Sequence, residues 1–437
     1  MSAKSIIAAR WVIPVQPRQH VLENHALVIE NGRIVDILPT SDARSKYPDT
    51  PVTERPTHAV LPGFINAHTH AAMSLFRGMA DDVPLMDWLN NHIWPAEAKW
   101  VGQEFMRDGV ELAIAEMLLS GTTCFNDMYF FPNVVANIAQ EMGIRAFVGL
   151  IVMDFPTAWA DSPEAYFDKG LHVHDEVRSL SRVGTTLAPH APYTVSDAPL
   201  EQVRTYADEL NIPIHMHVHE TSTEVSDSVA QSGVRPLARL NQLGLLNPRM
   251  MAVHMTQLTD EEVALCAEQG ISVVHCPESN LKLASGQCRV ADLLAAGANV
   301  CLGTDSAASN NDLDMLGEMQ TAALMAKVTA QNAQALPAWQ ALEMATINGA
   351  IALNCQDDIG SLEIGKSADF IAIDLDHIST QPVYDPVSQI VYSASREQIT
   401  DVWVEGIQRV KHKQLVNVDV DDLLQTARRW GERLTTS

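Results

Sequence analysis

Two rhythms of apolar and polar residues divide the chain. At both ends the apolar residues come in short runs broken by turn formers, at residues 5–13 and 26–37 and again at 364–374 and 399–406. The Asn31-Gly32 pair between two such runs predicts a hairpin, because both residues tolerate positive φ. This grammar predicts a small β-sandwich built from both chain ends, residues 1–61 and 360–437. Between them, over residues 62–359, apolar runs of strand length alternate with helical text. The first run is Leu61-Pro62-Gly63-Phe64-Ile65-Asn66-Ala67-His68-Thr69-His70; others lie at 122–126, 145–152, 184–189, 213–218, 250–254, 271–275 and 299–304. Val110, Ile114, Met117 and Leu118 keep helical spacing within 102–120, and Thr259-Asp260-Glu261-Glu262 reads as a capping box. Eight strands alternating with helices predict an α/β chain folded as a (β/α)8 TIM barrel, whose chemistry sits at the carboxyl ends of the strands.

At those ends the polar residues are of one kind. His68 and His70 close the first run, and on a strand they point to the same face, where they can share one metal ion. His172 and His174 have the same spacing, but with no strand leading in they read as exposed helix or loop histidines. The fifth run ends in His215-Met216-His217-Val218-His219-Glu220, the sixth in His254 and the eighth in Thr304-Asp305. Mononuclear zinc needs three or four nitrogen or oxygen ligands; His68, His70, one fifth-strand histidine and Asp305 supply them. Spacing alone does not rank His215, His217 and His219. A divalent ion lowers the pKa of bound water to roughly 7. Glu220 is then the candidate to move protons from that water to a substrate, with His254 orienting the water.

Composition narrows the partners. A formal charge of −25 argues against a polyanion such as nucleic acid and favours a small neutral or cationic substrate. The six cysteines fall at irregular spacings, without a disulfide or cysteine-zinc pattern. They suit the core of a cytoplasmic protein. The amino terminus lacks a small-residue cleavage site, and no run is long enough to span a bilayer.

The motifs around Gly63–His70, His217-Val218-His219-Glu220, His275-Cys276-Pro277-Glu278-Ser279-Asn280-Leu281-Lys282-Leu283 and Gly303-Thr304-Asp305-Ser306-Ala307-Ala308-Ser309-Asn310-Asn311 resemble the amidohydrolase superfamily. Within it they resemble the methylthioadenosine/S-adenosylhomocysteine deaminase group, over nearly the whole chain. The resemblance implies that His68, His70, His217 and Asp305 bind the metal. It makes Glu220 the proton shuttle and His254 the residue assisting the attacking water, with Asp305 and Glu220 also facing substrate. His190 then matches a nucleoside contact, and Glu97 a carboxylate that accepts from ribose hydroxyls. Without the resemblance, Glu97 reads as a solvated loop acid and His190 as a core histidine. His215 and His219 are left as supporting or packing residues.

Two absences refine the expectation. Binuclear members of the superfamily generally bridge two metals with a carbamylated lysine near the end of the fourth strand, and residues 185–194 contain no lysine, so the resemblance implies one ion: zinc first, with iron(II) or manganese(II) also compatible with the ligands. Residues 146–177 contain no arginine and only Lys169 as a cation, so the carboxylate of S-adenosylhomocysteine lacks its expected bidentate partner. A neutral 5′ group, as in 5′-methylthioadenosine or adenosine, leaves no buried charge unpaired. Phe155, Trp159, Tyr166 and Phe167 supply apolar surface in this stretch. The expected reaction is hydrolytic deamination of an adenine nucleoside at C6. The alternatives are the same chemistry on guanine, a pterin or an s-triazine, a module with a purely structural metal, and a metal-free interaction protein. A homo-oligomer is compatible with the sequence.

Overall fold

The computed structural model describes residues 4–435. Its centre is a sheet of eight parallel strands in chain order: Phe64–Thr69, Thr122–Asp127, Arg145–Val152, Val183–Pro189, Ile214–Val218, Met250–His254, Ser272–His275 and Asn299–Leu302. The sheet closes where Asp305 N–H donates to His68 O at 3.0 Å and Thr69 bridges Asp305. Two residues expected at the functional site therefore also form the seam of the barrel. The strands are almost wholly buried, as parallel strands covered by helices require.

The chain ends form a second eight-stranded sheet in one continuous hydrogen-bonded order: Gln414–Leu415, Ile407–Lys411, Ile399–Val404, Phe370–Asp374, Val52–Pro62, Ser5–Val12, Leu22–Glu30 and Arg33–Pro39. It curls over itself. Ala368 N–H donates to Gly32 O at 2.9 Å, and Leu27 and Ile29 share one buried cluster with Phe370 and Trp403. The Asn31-Gly32 hairpin forms as expected, with φ of 52° and 76°.

The run Leu61–His70 is not one strand. Val52–Pro62 belongs to the curled sheet, where Leu61 pairs with Ile371, and the barrel strand starts at Phe64. Gly63 makes the join: a Cβ there would stand 2.1 Å from Thr123 Oγ1, so only glycine fits. The expected helix is Gln103–Leu119, burying Val110, Ile114, Met117 and Leu118. The Thr259–Glu262 capping box is present. His172 and His174 lie on the helix Pro163–Val177, the first exposed beside Glu176, the second hydrogen-bonded to Thr185. All six cysteines are free. Among the described residues no helix is long and apolar enough to cross a membrane.

Candidate active site

Seven of the eight residues singled out from the sequence, His70, Glu97, His190, His217, Glu220, His254 and Asp305, line one cavity of ≈ 300 Å³ at the carboxyl ends of the barrel strands. His68 lies wholly buried beneath them. Volume and position suit a small-molecule site.

The cavity floor is a cluster of four donors, one from each of His68, His70, His217 and Asp305, all within 4.8 Å of one another. Asp305 Oδ1 stands 3.2 Å from His68 Nε2 and 3.3 Å from His70 Nε2, and His217 Nε2 is 3.2 Å from His68 Nε2. Each imidazole is held through its other nitrogen. Nδ1 of His70 faces the Met128 carbonyl, Nδ1 of His217 donates to the His190 carbonyl at 2.8 Å, and Nδ1 of His68 is 2.8 Å from His215 Nε2. The carbonyls on Nδ1 of His70 and His217 leave their Nε2 lone pairs free, and Nε2 of His68 faces the same point. Convergent lone pairs repel unless a cation lies between them. A set of three imidazoles and one carboxylate fits zinc. The other carboxylate oxygen, Asp305 Oδ2, accepts from Ser279 Oγ at 2.6 Å and Ser309 Oγ at 2.9 Å, which turns Oδ1 toward the histidines.

Local sequence explains the positions. His68 ends its strand against Gly303, where a Cβ would stand 2.8 Å from His68 N, so the Gly-Thr-Asp motif needs its glycine for close approach. On the fifth strand His215 and His217 share the inward face, the first below the floor and the second in it. His219 turns out of the site, and its Nε2 accepts the Leu237 N–H. The structure thus separates three histidines that spacing could not.

Above the floor Glu220 Oε2 lies 3.8 Å from His254 Nε2, and the side chain of Asn280 holds Nδ1 of His254 at 3.0 Å. Burial, reinforced by the charges of Asp305 and Glu224, pushes the Glu220 carboxyl well above the usual range. Burial alone would also raise Asp305, but the adjoining imidazoles of His68 and His70 hold its carboxyl well below the usual range. Burial lowers His190 and His254 to about 3, so both rings are neutral. On the cavity wall Glu97 accepts from Tyr129 OH at 2.6 Å; burial raises its carboxyl to about 7 despite that bond. The outer wall is apolar, with Leu85, Trp88, Leu89, Met153 and Phe155, and among the described residues no lysine or arginine lines the cavity. Of the four aromatic residues noted in 146–177 only Phe155 borders it.

Sequence reasoning gave no role to Tyr129, Ser279, Asn280, Ser309 or Glu224. Ser279, Asn280 and Ser309 lie inside the quoted motifs, which were their only signal. Tyr129 and Glu224 had none.

A model of the Amidohydrolase family matches residues 59–408. The chain is 50% identical over 432 residues to a 5-methylthioadenosine/S-adenosylhomocysteine deaminase of Saccharophagus degradans, covering 99% of this chain and 97% of that protein. It is 43% identical over 439 residues to the protein of the same name from Thermodesulfovibrio yellowstonii, covering 100% of both. Among solved structures, an adenosine deaminase from Xanthomonas campestris with bound zinc superposes with a TM-score of 0.98 at 52% identity, covering 100% of this chain and 99% of that one. An atrazine chlorohydrolase of Arthrobacter aurescens shares the fold, with a TM-score of 0.88 at 22% identity over 97% of this chain and 99% of that one.

Proposed function

The chain belongs to the amidohydrolase family, and from that premise we propose that it is a zinc-dependent deaminase converting 5′-methylthioadenosine and water to 5′-methylthioinosine and ammonia. Relatives at 50% identity carry the name of a methylthioadenosine/S-adenosylhomocysteine deaminase, and a 52% identical adenosine deaminase binds zinc. The observation that carries the reading is one cavity in which a four-donor cluster faces a buried carboxyl, Glu220, and a neutral imidazole, His254.

His68, His70, His217 and Asp305 would hold the ion, which when bound supplies Lewis acidity that makes water nucleophilic near neutral pH. Glu220 accepts a proton from the attacking water and delivers it to N1 of the purine as the C6–O bond forms. His254 steers the oxygen toward C6. Asp305 takes the second proton and returns it to the departing amine, so ammonia leaves and the ring keeps a C6 oxygen. Glu97, with Tyr129 behind it, accepts from the ribose hydroxyls, and His190 faces the base. The apolar wall at Leu85, Met153 and Phe155 suits a methylthio group. A homocysteine carboxylate there would be desolvated with no cation to pair it, which costs several kcal/mol.

Ammonia release from adenosine, 5′-methylthioadenosine, S-adenosylhomocysteine, guanine and an aminated triazine, compared as kcat/KM with metal-analysed and chelated protein, tests this. We expect 5′-methylthioadenosine to lead S-adenosylhomocysteine and chelation to abolish turnover. A lead for S-adenosylhomocysteine would overturn the argument from missing cations, and activity only on guanine or triazine would overturn the substrate assignment.

A further inference from the structure

His217 lies on the strand Ile214–Val218, whose side chains alternate every two, and Glu220 lies two residues past its end. A regular strand aiming His217 into the barrel would aim Glu220 away. The chain reverses this at His219, which takes a left-handed φ of 54°. That conformation costs a residue with a Cβ roughly 1–2 kcal/mol. Something has to hold it.

Glu224, in the first turn of the helix Ser222–Ser232, does so from one side. Its Oε1 accepts the His219 N–H at 2.9 Å and its Oε2 the Glu220 N–H at 2.7 Å. Its own N–H donates to Thr221 Oγ1 at 3.2 Å, folding the carboxylate back over the turn. From the other side Thr256 N–H donates to His219 O at 3.0 Å, and Thr256 Oγ1 to Glu220 O at 2.7 Å. The backbone of Glu220 is thus gripped at its N–H by Glu224 and at its C=O by Thr256. Both oxygens of Glu224 are spent on these bonds, and both donors are backbone groups with no freedom to reverse polarity.

We propose that Glu224 is the positioning residue of the proton shuttle, its carboxylate holding the His219–Glu220 turn left-handed and so aiming Glu220 at the substrate's ring nitrogen. The proposal rests on Glu220 being the shuttle. Glu224→Gln keeps the size but puts an N–H₂ group against one backbone N–H, so one bond is lost and one contact becomes repulsive.

The test joins hydrogen exchange with kinetics at mildly alkaline pH, where the Glu224 carboxyl, raised to about 7 by burial, is ionised. In Glu224→Gln the amides of residues 219 and 220 should exchange faster while zinc content and Tm hold. The kcat should fall roughly 10- to 100-fold, as expected of a misaimed catalytic group, with little change in KM. In a Glu220→Gln background the same change should add less than about twofold, because coupled residues are non-additive. Should Glu224→Gln not fold, Glu224→Asp, which keeps the charge and loses reach, should show an intermediate loss. Unchanged exchange with unchanged kcat, a full loss in the Glu220→Gln background, or loss of zinc would each overturn the proposal. Exchange is read without substrate, so it decides the positioning role even if the nucleoside panel rejects the proposed reaction.

Discussion

Glu97 gives the cleft a pH signature separate from the metal cluster. Its carboxyl, raised to about 7 by burial, is protonated below that pH and ionised above it. Only the ionised form has both oxygens free to accept from ribose hydroxyls while also taking the Tyr129 OH. KM for the nucleoside should therefore fall as pH rises through 7. About 1.5–3 kcal/mol for a hydrogen bond to a charged group corresponds to roughly 10- to 150-fold. In Glu97→Gln this step should vanish and KM stay at its low-pH value; an equal step in the variant would remove Glu97 from ribose binding. Legibility at this scale was uneven. His68, His70, Glu220 and Asp305 stood out by residue type at strand ends, whereas choosing His217 needed the resemblance. A count of two along the strand treats His215, His217 and His219 alike; the left-handed turn at His219 sets that residue apart, and depth in the barrel separates His215, behind His68, from His217 in the cluster. Tyr129 was illegible because its role depends on Glu97, 32 residues away and in contact only through the fold.

At the scale of elements, the eight barrel strands were readable because each is a short, almost wholly buried run of mostly apolar residues. Their boundaries were less so. The apolar text crosses Pro62-Gly63 without a break, so the handover from one sheet to the other inside Leu61–His70 could not be seen. The helix Thr40–Lys46 is short and buries only Ala43. The terminal helix Val420–Thr435 buries only Trp430, so neither declares itself by a wide apolar stripe. The seam between first and eighth strands offers a test of element packing. A methyl at Gly303 would meet His68 N at 2.8 Å and His68 Cβ at 2.8 Å, both backed by a packed barrel. Gly303→Ala should cost about 1–3 kcal/mol of stability as overpacking. Because the displaced group is His68, zinc affinity should drop with it, at least about tenfold. Titration with a competing chelator, set beside Tm, checks this; a fall in Tm with unaltered zinc affinity would mean that the seam relaxes on its eighth-strand side.

On the scale of the whole molecule, the question is whether the curled terminal sheet and the barrel can come apart. The sequence suggested two units, and the connections argue that they melt together. Val52–Pro62 lies at the centre of the terminal sheet and passes through Gly63 straight into the strand that carries His68. A second tie is ionic: Arg145, at the start of the third barrel strand, is nearly buried. It donates to Asp369 at 3.0 Å and Ser367 at 3.1 Å, with Asp358 and Glu405 each 3.6 Å away. These carboxylates hold its guanidinium firmly charged. Removing one partner of a buried pair strands the other, here Asp369, at a cost of about 3–5 kcal/mol. In a chain of this length that is a Tm shift of ~3–5 °C. Arg145→Met should therefore lower Tm by this amount in a single transition, with zinc released in the same step. Its kcat at low temperature should be unaltered, since Arg145 lies at the end of the barrel opposite the cleft. Two transitions in calorimetry, with zinc and activity surviving the first, would instead make the terminal sheet a separate folding unit. The peptide at Gly63 would then be a hinge rather than a continuous support for His68.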